Sequence, residues 1–258
     1  MSDRRVPEFT DGFDGGRLDP SRWIDSYLPH WSSRKRSAAR WRIDGGRLRL
    51  VIDPDQEPWN PDLDGDTRVS SIQTGVFSGP FGSPIGQHRF RPGLVVREAQ
   101  PAARLYTPRF GRIEIRMSAV SDPDAMVALW MIGFEDEPRR SGEICVAEIF
   151  GRDVGPTAVR VGMGIHPFGD PNLADDFDQV EVSVDATTIH EYAVEWSPHL
   201  VDHTVDGRLV KRSTQAPDYP MQLMLGVYAF RPAAPGDVPI EFVVDRVRGY
   251  APAGGRAA

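Results

Sequence analysis

Short runs of alternating polar and apolar residues, separated by glycine and proline, fill almost the whole of this chain, and helical periodicity is nearly absent. Successive residues of a strand point to opposite faces. Arg47-Leu-Arg-Leu50, Arg112-Ile-Glu-Ile-Arg-Met117 and Gln179-Val-Glu-Val-Ser-Val184 therefore each turn one face to a core and the other to water or a cleft. The 23 prolines and 25 glycines fall mostly between such runs and punctuate strands rather than forming a low-complexity tract. Thr204-Val-Asp-Gly-Arg-Leu209 reads as a hairpin, because the Asp206-Gly207 pair suits a type I′ turn, which needs positive φ at both central residues. Ala125 to Phe134 is about half as long as a bilayer span and reads as a buried strand. The pattern predicts an all-β fold of two antiparallel sheets. A length of 258 residues suits one such domain over 1–258, without internal repeats and with a frayed tail from about residue 250.

One segment carries chemistry as well as pattern. Glu143-Ile-Cys-Val-Ala-Glu148 holds the only cysteine between two glutamates, in a strand bounded by Gly142 and Gly151. On a regular strand, residues an odd number apart face opposite ways, so the glutamates could not share a surface. A β-bulge with Val146 or Ala147 as the extra residue turns Glu143, Cys145 and Glu148 to one side. The glutamates then stand like residues four apart, with backbones ~13 Å from each other at ~3.3 Å per residue. Side chains leaning together can bring their carboxyl groups to the roughly 5–5.5 Å that suits retaining cleavage of a glycosidic bond. Taken alone, the segment also reads as a strand with two solvated glutamates and a buried cysteine.

The flanking segments add to this. Phe9-Thr-Asp-Gly-Phe-Asp-Gly15 with Leu18, Asp19 and Trp23 stands near the start. Phe110-Gly-Arg-Ile-Glu-Ile-Arg116, Ala128-Leu-Trp-Met-Ile-Gly133, His190-Glu-Tyr-Ala-Val-Glu-Trp196, Val205-Asp-Gly207 and Phe242-Val-Val-Asp-Arg-Val-Arg248 follow in order. Together with the two glutamates, these segments resemble glycoside hydrolase family 16, the laminarinase and lichenase group, over nearly the whole chain. That family's catalytic strand is Glu-x-Asp-x-x-Glu in its bulged form, so Cys145 departs from it by replacing the middle aspartate.

The resemblance implies a jelly roll with the catalytic strand on a concave face, and a retaining, endo-acting hydrolase. Glu143 would be the nucleophile and Glu148 the acid/base. Glu114 and Arg116 would line the donor side of the cleft, the alternative being an ion pair on the convex face. Trp130 would stand on the cleft wall or in the core, and His166 near the leaving group or as a structural histidine. Trp196 reads as core, whereas Trp31 and Trp59 could reach the cleft from loops. Many members bind a structural Ca2+ on the convex face. Asp245 matches one of its ligands, but Gly12 stands where a glutamate is common, so a calcium ion is allowed rather than required and no other cofactor is expected. The implied partner is a polysaccharide, first a β-1,3-glucan such as laminarin. Galactan cleavage, transglycosylation and a non-catalytic carbohydrate-binding role are the alternatives.

A thiol at position 145 changes the site's electrostatics. Its reference pKa of about 8.5 is pushed higher by two neighbouring carboxylates, so it should be neutral near pH 7. Glu143 should then ionise more easily and Glu148 lose part of the repulsion that keeps it protonated, which lowers the expected pH optimum. The flanking glutamates disfavour a thiolate nucleophile. Metal ligation by Cys145 with His166 finds no ligand-spaced cluster in the sequence. Asp62-Leu-Asp-Gly-Asp66 is no EF-hand loop, because Thr67 and Gln73 occupy the places that need glycine and glutamate.

Composition narrows the partners. With 30 basic and 37 acidic residues the formal charge is -7, and Arg34-Lys-Arg36 reads as a solvated loop, so no nucleic-acid surface is expected. One cysteine excludes an internal disulfide. Met1-Ser-Asp-Arg-Arg5 leads into no apolar run, so no secretory leader is expected in the chain as written; it reads as a monomer without a membrane partner, either cytoplasmic or, as the resembled family is usually secreted, trimmed of a leader. The loops at 53–68, acidic with Trp59, and 78–93, rich in glycine and proline, either line a functional rim or are disordered crossovers.

Overall fold

The structure is a computed structural model and describes residues 5–253. Residues 1–4 and 254–258, which hold the expected leaderless start and most of the expected frayed tail, lie outside the described residues. The first eight strands are β1 (Phe9–Asp11), β2 (Arg40–Asp44), β3 (Arg47–Ile52), β4 (Arg68–Gln73), β5 (Gly75–Val76), β6 (Ala103–Arg104), β7 (Gly111–Met117) and β8 (Ala125–Gly133). The remainder are β9 (Glu143–Phe150), β10 (Val159–His166), β11 (Asp176–Val182), β12 (His190–Ser197), β13 (Leu200–Val205), β14 (Arg208–Ser213), β15 (Met221–Ala229) and β16 (Ile240–Tyr250).

They form the predicted all-β architecture of two large antiparallel sheets, with β5 and β6 paired as a separate two-stranded ribbon. An eight-stranded sheet runs β14-β13-β12-β7-β16-β3-β2, with β1 added on β16, and a six-stranded sheet runs β11-β10-β9-β8-β15-β4. The β13–β14 hairpin turns at Asp206 and Gly207, whose φ values of 48° and 74° are the positive pair that a type I′ turn requires. No described helix is long and apolar enough to cross a membrane.

Alternation explains the core between the sheets. Ile113, Ile115 and Met117 of β7 meet Val127, Leu129 and Met131 of β8 and Leu223, Leu225 and Val227 of β15 in one apolar cluster. β8 and β15 are buried on both faces, unlike a strand with one wet side. Their outer residues Ala128, Trp130, Ile132, Met224 and Tyr228 lie under a second cluster built by loop residues, among them Tyr27, Leu28, Trp31, Trp59, Leu94 and Val96. The loops at 53–68 and 78–93 are thus ordered lids on the six-stranded sheet. Trp31 and Trp59 hold those lids from inside: each is essentially unexposed, and their Nε1 groups donate to the Gln87 carbonyl at 2.8 Å and to Asp64 at 2.7 Å. Trp196 is core, as expected.

Two expected cleft residues lie elsewhere. Glu114 and Arg116 sit on β7, on the outer face of the eight-stranded sheet, with the whole core between them and β9. Glu114 accepts from Arg112 at 3.1 Å and from the Tyr250 hydroxyl at 3.0 Å, so it belongs to a polar network on the far face and does not line the cleft. Strand alternation located a polar face, but nothing in a single strand says which sheet that face belongs to. Asp245 also lies on the eight-stranded sheet, with Arg47 at 3.4 Å and Arg116 at 3.6 Å from its two oxygens. The described neighbours of this carboxylate are thus two guanidinium groups, a setting that suits an ion pair better than a calcium ion.

Candidate active site

The two glutamates of β9 meet because the strand is bulged. On β8, Leu129 pairs with Ala147 and Trp130 with Cys145, which leaves Val146 without a partner. On β10, Gly162 pairs with Glu148 and Gly164 with Cys145, so Met163 alone faces Val146 and Ala147. Val146 and Ala147 both point into the inter-sheet core, and Glu143, Cys145 and Glu148 are turned together to the opposite, groove side. The neighbouring strand is shaped to this irregularity. Gly164 has φ of 135°, and a side chain there would place its first carbon 2.0 Å from the Asp176 carbonyl oxygen.

The thiol links the pair. Cys145 Sγ donates to Glu143 Oε1 at 2.8 Å, and the Glu148 carboxyl group lies on the same side of the strand. Glu143 is only 4% exposed. Burial pushes its carboxyl above the ordinary range, the Glu148 charge adds to that rise, and the thiol's hydrogen bond opposes it. Glu148 is likewise pushed up by burial against the same opposing bond. The thiol is held far above its ordinary value by burial and then by both glutamates, so it stays protonated and serves as a donor. The site therefore keeps protons on its carboxyl groups toward neutral pH.

A groove of about 280 Å³ opens over the pair, with Tyr27, His88, Trp130, His166, Phe168 and Tyr228 among its walls. Trp130 Nε1 donates to the Tyr228 hydroxyl at 3.1 Å, which fixes both rings. His166 bonds Asp175 through Nδ1 at 2.8 Å and stacks on Phe177, with ring centres 4.6 Å apart. The sequence thus brought Glu143, Cys145, Glu148, Trp130 and His166 to one place. One ligating atom each from Glu143, Cys145 and His166 lies within 4.8 Å of the others, so a ligand-spaced cluster exists where none was expected.

His88, absent from the sequence expectations, stands beside the pair. Its Nδ1 is 3.8 Å from Glu143 Oε2, and its ring lies 4.8 Å from those of both Trp130 and Phe168. Burial lowers it to about 3, so the imidazole is neutral. Its backbone has φ of 51°, and its N–H donates to Glu135 Oε1 at 2.6 Å. Glu135 itself has φ of 57°, is 4% exposed and is raised to about 8 by burial, against the opposing bond from His88. Two non-glycine residues in the left-handed region mark stored backbone strain next to the glutamates.

The profile of glycosyl hydrolases family 16 matches residues 105–242, more than half of the chain and the part that contains β9. The chain belongs to glycosyl hydrolases family 16. Among solved structures, a GlcNAcα1-4Gal releasing endo-β-galactosidase from Clostridium perfringens is similar over 100% of this chain at 30% identity, with a TM-score of 0.86. This family 16 chain spans 64% of that protein's chain. The catalytic domain of an endo-1,3-β-glucanase (laminarinase) from Thermotoga petrophila is similar over 98% of this chain and 100% of its own, at 19% identity and a TM-score of 0.67. A laminarinase from Rhodothermus marinus is similar over 96% and 97%, at 21% identity and 0.64. No curated protein matches the chain.

Proposed function

We propose that this family 16 chain is a retaining glycoside hydrolase acting within β-galactoside-containing glycans. The observation that carries the reading is the bulged strand that turns Glu143 and Glu148, with one sulfur between them, into an aromatic groove. Two carboxyl groups with that disposition supply both parts that retaining hydrolysis needs. Glu143 attacks the anomeric carbon while Glu148 protonates the leaving oxygen. Glu148 then takes a proton from water, which attacks the glycosyl–Glu143 bond and frees the sugar with its configuration kept. The thiol, as a donor to Glu143, favours the ionised nucleophile. This chemistry asks for no metal.

The walls suit a neutral sugar chain. Rings of Tyr27, Trp130 and Tyr228 offer apolar surface to pyranose faces. Asp64, His88 and His166 offer polar atoms to hydroxyl groups, and among the described residues lining the groove none is lysine or arginine. Likeness to the Clostridium endo-β-galactosidase, at 30% identity against 19% and 21% for the two laminarinases, favours a galactoside over the β-1,3-glucan expected first. Laminarin cleavage is the second reading, supported by those laminarinase folds.

A reducing-end assay on mucin-type O-glycans, agarose, laminarin, lichenan and xyloglucan tests this. Turnover of a galactose-containing glycan with none on laminarin agrees with the proposal. Turnover confined to laminarin moves the chain to the second reading. Binding without turnover on every glycan contradicts catalysis altogether.

A further inference from the structure

We propose that Glu143, Cys145 and His166 form a binding site for one soft divalent cation, zinc in particular, which holds the glutamate pair inactive while bound. Thiolate, imidazole and carboxylate are the three protein donors zinc uses, at about 2.0–2.3 Å. Around tetrahedral zinc at those distances donors lie about 3.3–3.8 Å apart, so a set already within 4.8 Å of one another has to draw in by about an ångström, which side-chain rotation can supply.

Three further features fit an ion here. Asp175 bonds His166 Nδ1 at 2.8 Å, which fixes the tautomer and leaves Nε2 as the lone-pair nitrogen, the carboxylate–histidine arrangement found behind metal-bound imidazoles. The groove reaches Glu143 and His166 from solvent, so an ion has a path in. Its described lining includes Glu143, Glu148 and Asp64, the last with Arg91 at 3.7 Å, and no lysine or arginine. An aspartate at position 145 would give a hard oxygen donor; the thiol makes the set selective for softer ions. On binding, the Sγ–H bond breaks, an Sγ–metal bond forms, and that proton leaves to solvent together with any proton held by the Glu143 carboxyl group. The Glu143 carboxylate then coordinates the ion and no longer attacks a sugar.

The inhibitory half rests on the proposed hydrolase activity; the binding half does not. Chelator-treated full chain is titrated with Cd2+ alone, and thiolate-to-cadmium charge transfer is followed in the ultraviolet. The proposal expects a band that saturates at one Cd2+ per chain, is displaced by Zn2+ and is lost in Cys145→Ser. His166→Ala should weaken binding at least tenfold, and Asp175→Asn by about 10- to 100-fold, as for partners behind a metal ligand. If His166→Ala does not fold, His166→Gln makes the same comparison. No band in folded protein, or unchanged Cd2+ affinity in the folded His166 variant, overturns the site. Where a glycan substrate is in hand, Zn2+ should inhibit reversibly with an inhibition constant at least tenfold higher in the His166 variant. Cd2+ binding with no inhibition leaves an ion site and overturns its inhibitory role.

Discussion

His203, on β13 of the eight-stranded sheet, donates its Nε2–H to the backbone carbonyl of Cys145 on β9 of the other sheet, at 3.0 Å. A carbonyl can only accept, so the tautomer is settled by the contact itself. Cys145 keeps a ladder partner on each side next to the bulge at Val146, and a fully buried imidazole from across the core meets its oxygen. His203→Leu should remove that buried hydrogen bond and cost about 1–3 kcal/mol of stability. His203→Gln keeps an N–H near the same place and should recover part of it. Denaturant melts decide between them: equal loss in both would mean that packing, not the hydrogen bond, holds the bulge.

His88 and Glu135 should act as one unit. Glu135→Ala removes the acceptor for the His88 N–H, and its effect on turnover should therefore travel through the His88 ring. We expect about a tenfold lower kcat with little change in KM from either Glu135→Ala or His88→Ala, and no further loss in the double variant. Glu135→Gln keeps an acceptor oxygen and should stay near wild type. Additive losses in steady-state kinetics would separate the two residues.

Much of this site was legible beforehand, for identifiable reasons. Glu143 and Glu148 at odd spacing announce a bulge, because only an irregular strand can put both on one face. The Asp206–Gly207 turn follows from the φ values it needs. Other parts leave no local trace. The polar face of Glu114 looks identical whether its strand joins one sheet or the other. His88 and Glu135 lie in irregular segments, where no period marks a buried side chain. His203 shares the inward face of its strand with Val201 and Val205, but nothing in that strand says that the Cys145 carbonyl awaits it across the core.

Cys145→Asp should move the pH–rate profile upward. An ionised carboxylate at position 145 adds a like charge beside Glu143 and Glu148, which raises both, and it removes the thiol's bond to Glu143. Kinetics from pH 4 to 9 should show both limbs displaced to higher pH. An unchanged profile would contradict the electrostatic role assigned to the thiol.

Stability should fall on both sides of a plateau. Burial lowers His30 and His203 from 6.5 to about 4 and His88 from 6.5 to about 3. A lowered folded value means their contribution is present above pH 6.5 and is lost as the pH falls toward 4. Glu135 is raised from 4.5 to about 8, and Glu143 and Glu148 are raised with it. A raised folded value means their contribution is present below pH 4.5 and is lost as the pH climbs toward 8. The two trends oppose each other between pH 4.5 and 6.5, so Tm should be flat there and decline outside. Glu135→Gln should shallow the alkaline arm alone, each kcal/mol appearing as about 2–4 °C. Calorimetry showing Tm still rising from pH 7 to 9 would contradict these assignments.

The pairing of Glu143 with Glu148 is tested most directly by the configuration of the first sugar released. Proton NMR of the reducing-end anomers, recorded as a β-linked glycan is cleaved and before mutarotation, should show the β anomer accumulating first, and Glu148→Gln should slow its release by about 10²–10⁴. An α anomer appearing first, or release at an undiminished rate in folded Glu148→Gln protein, would contradict the account.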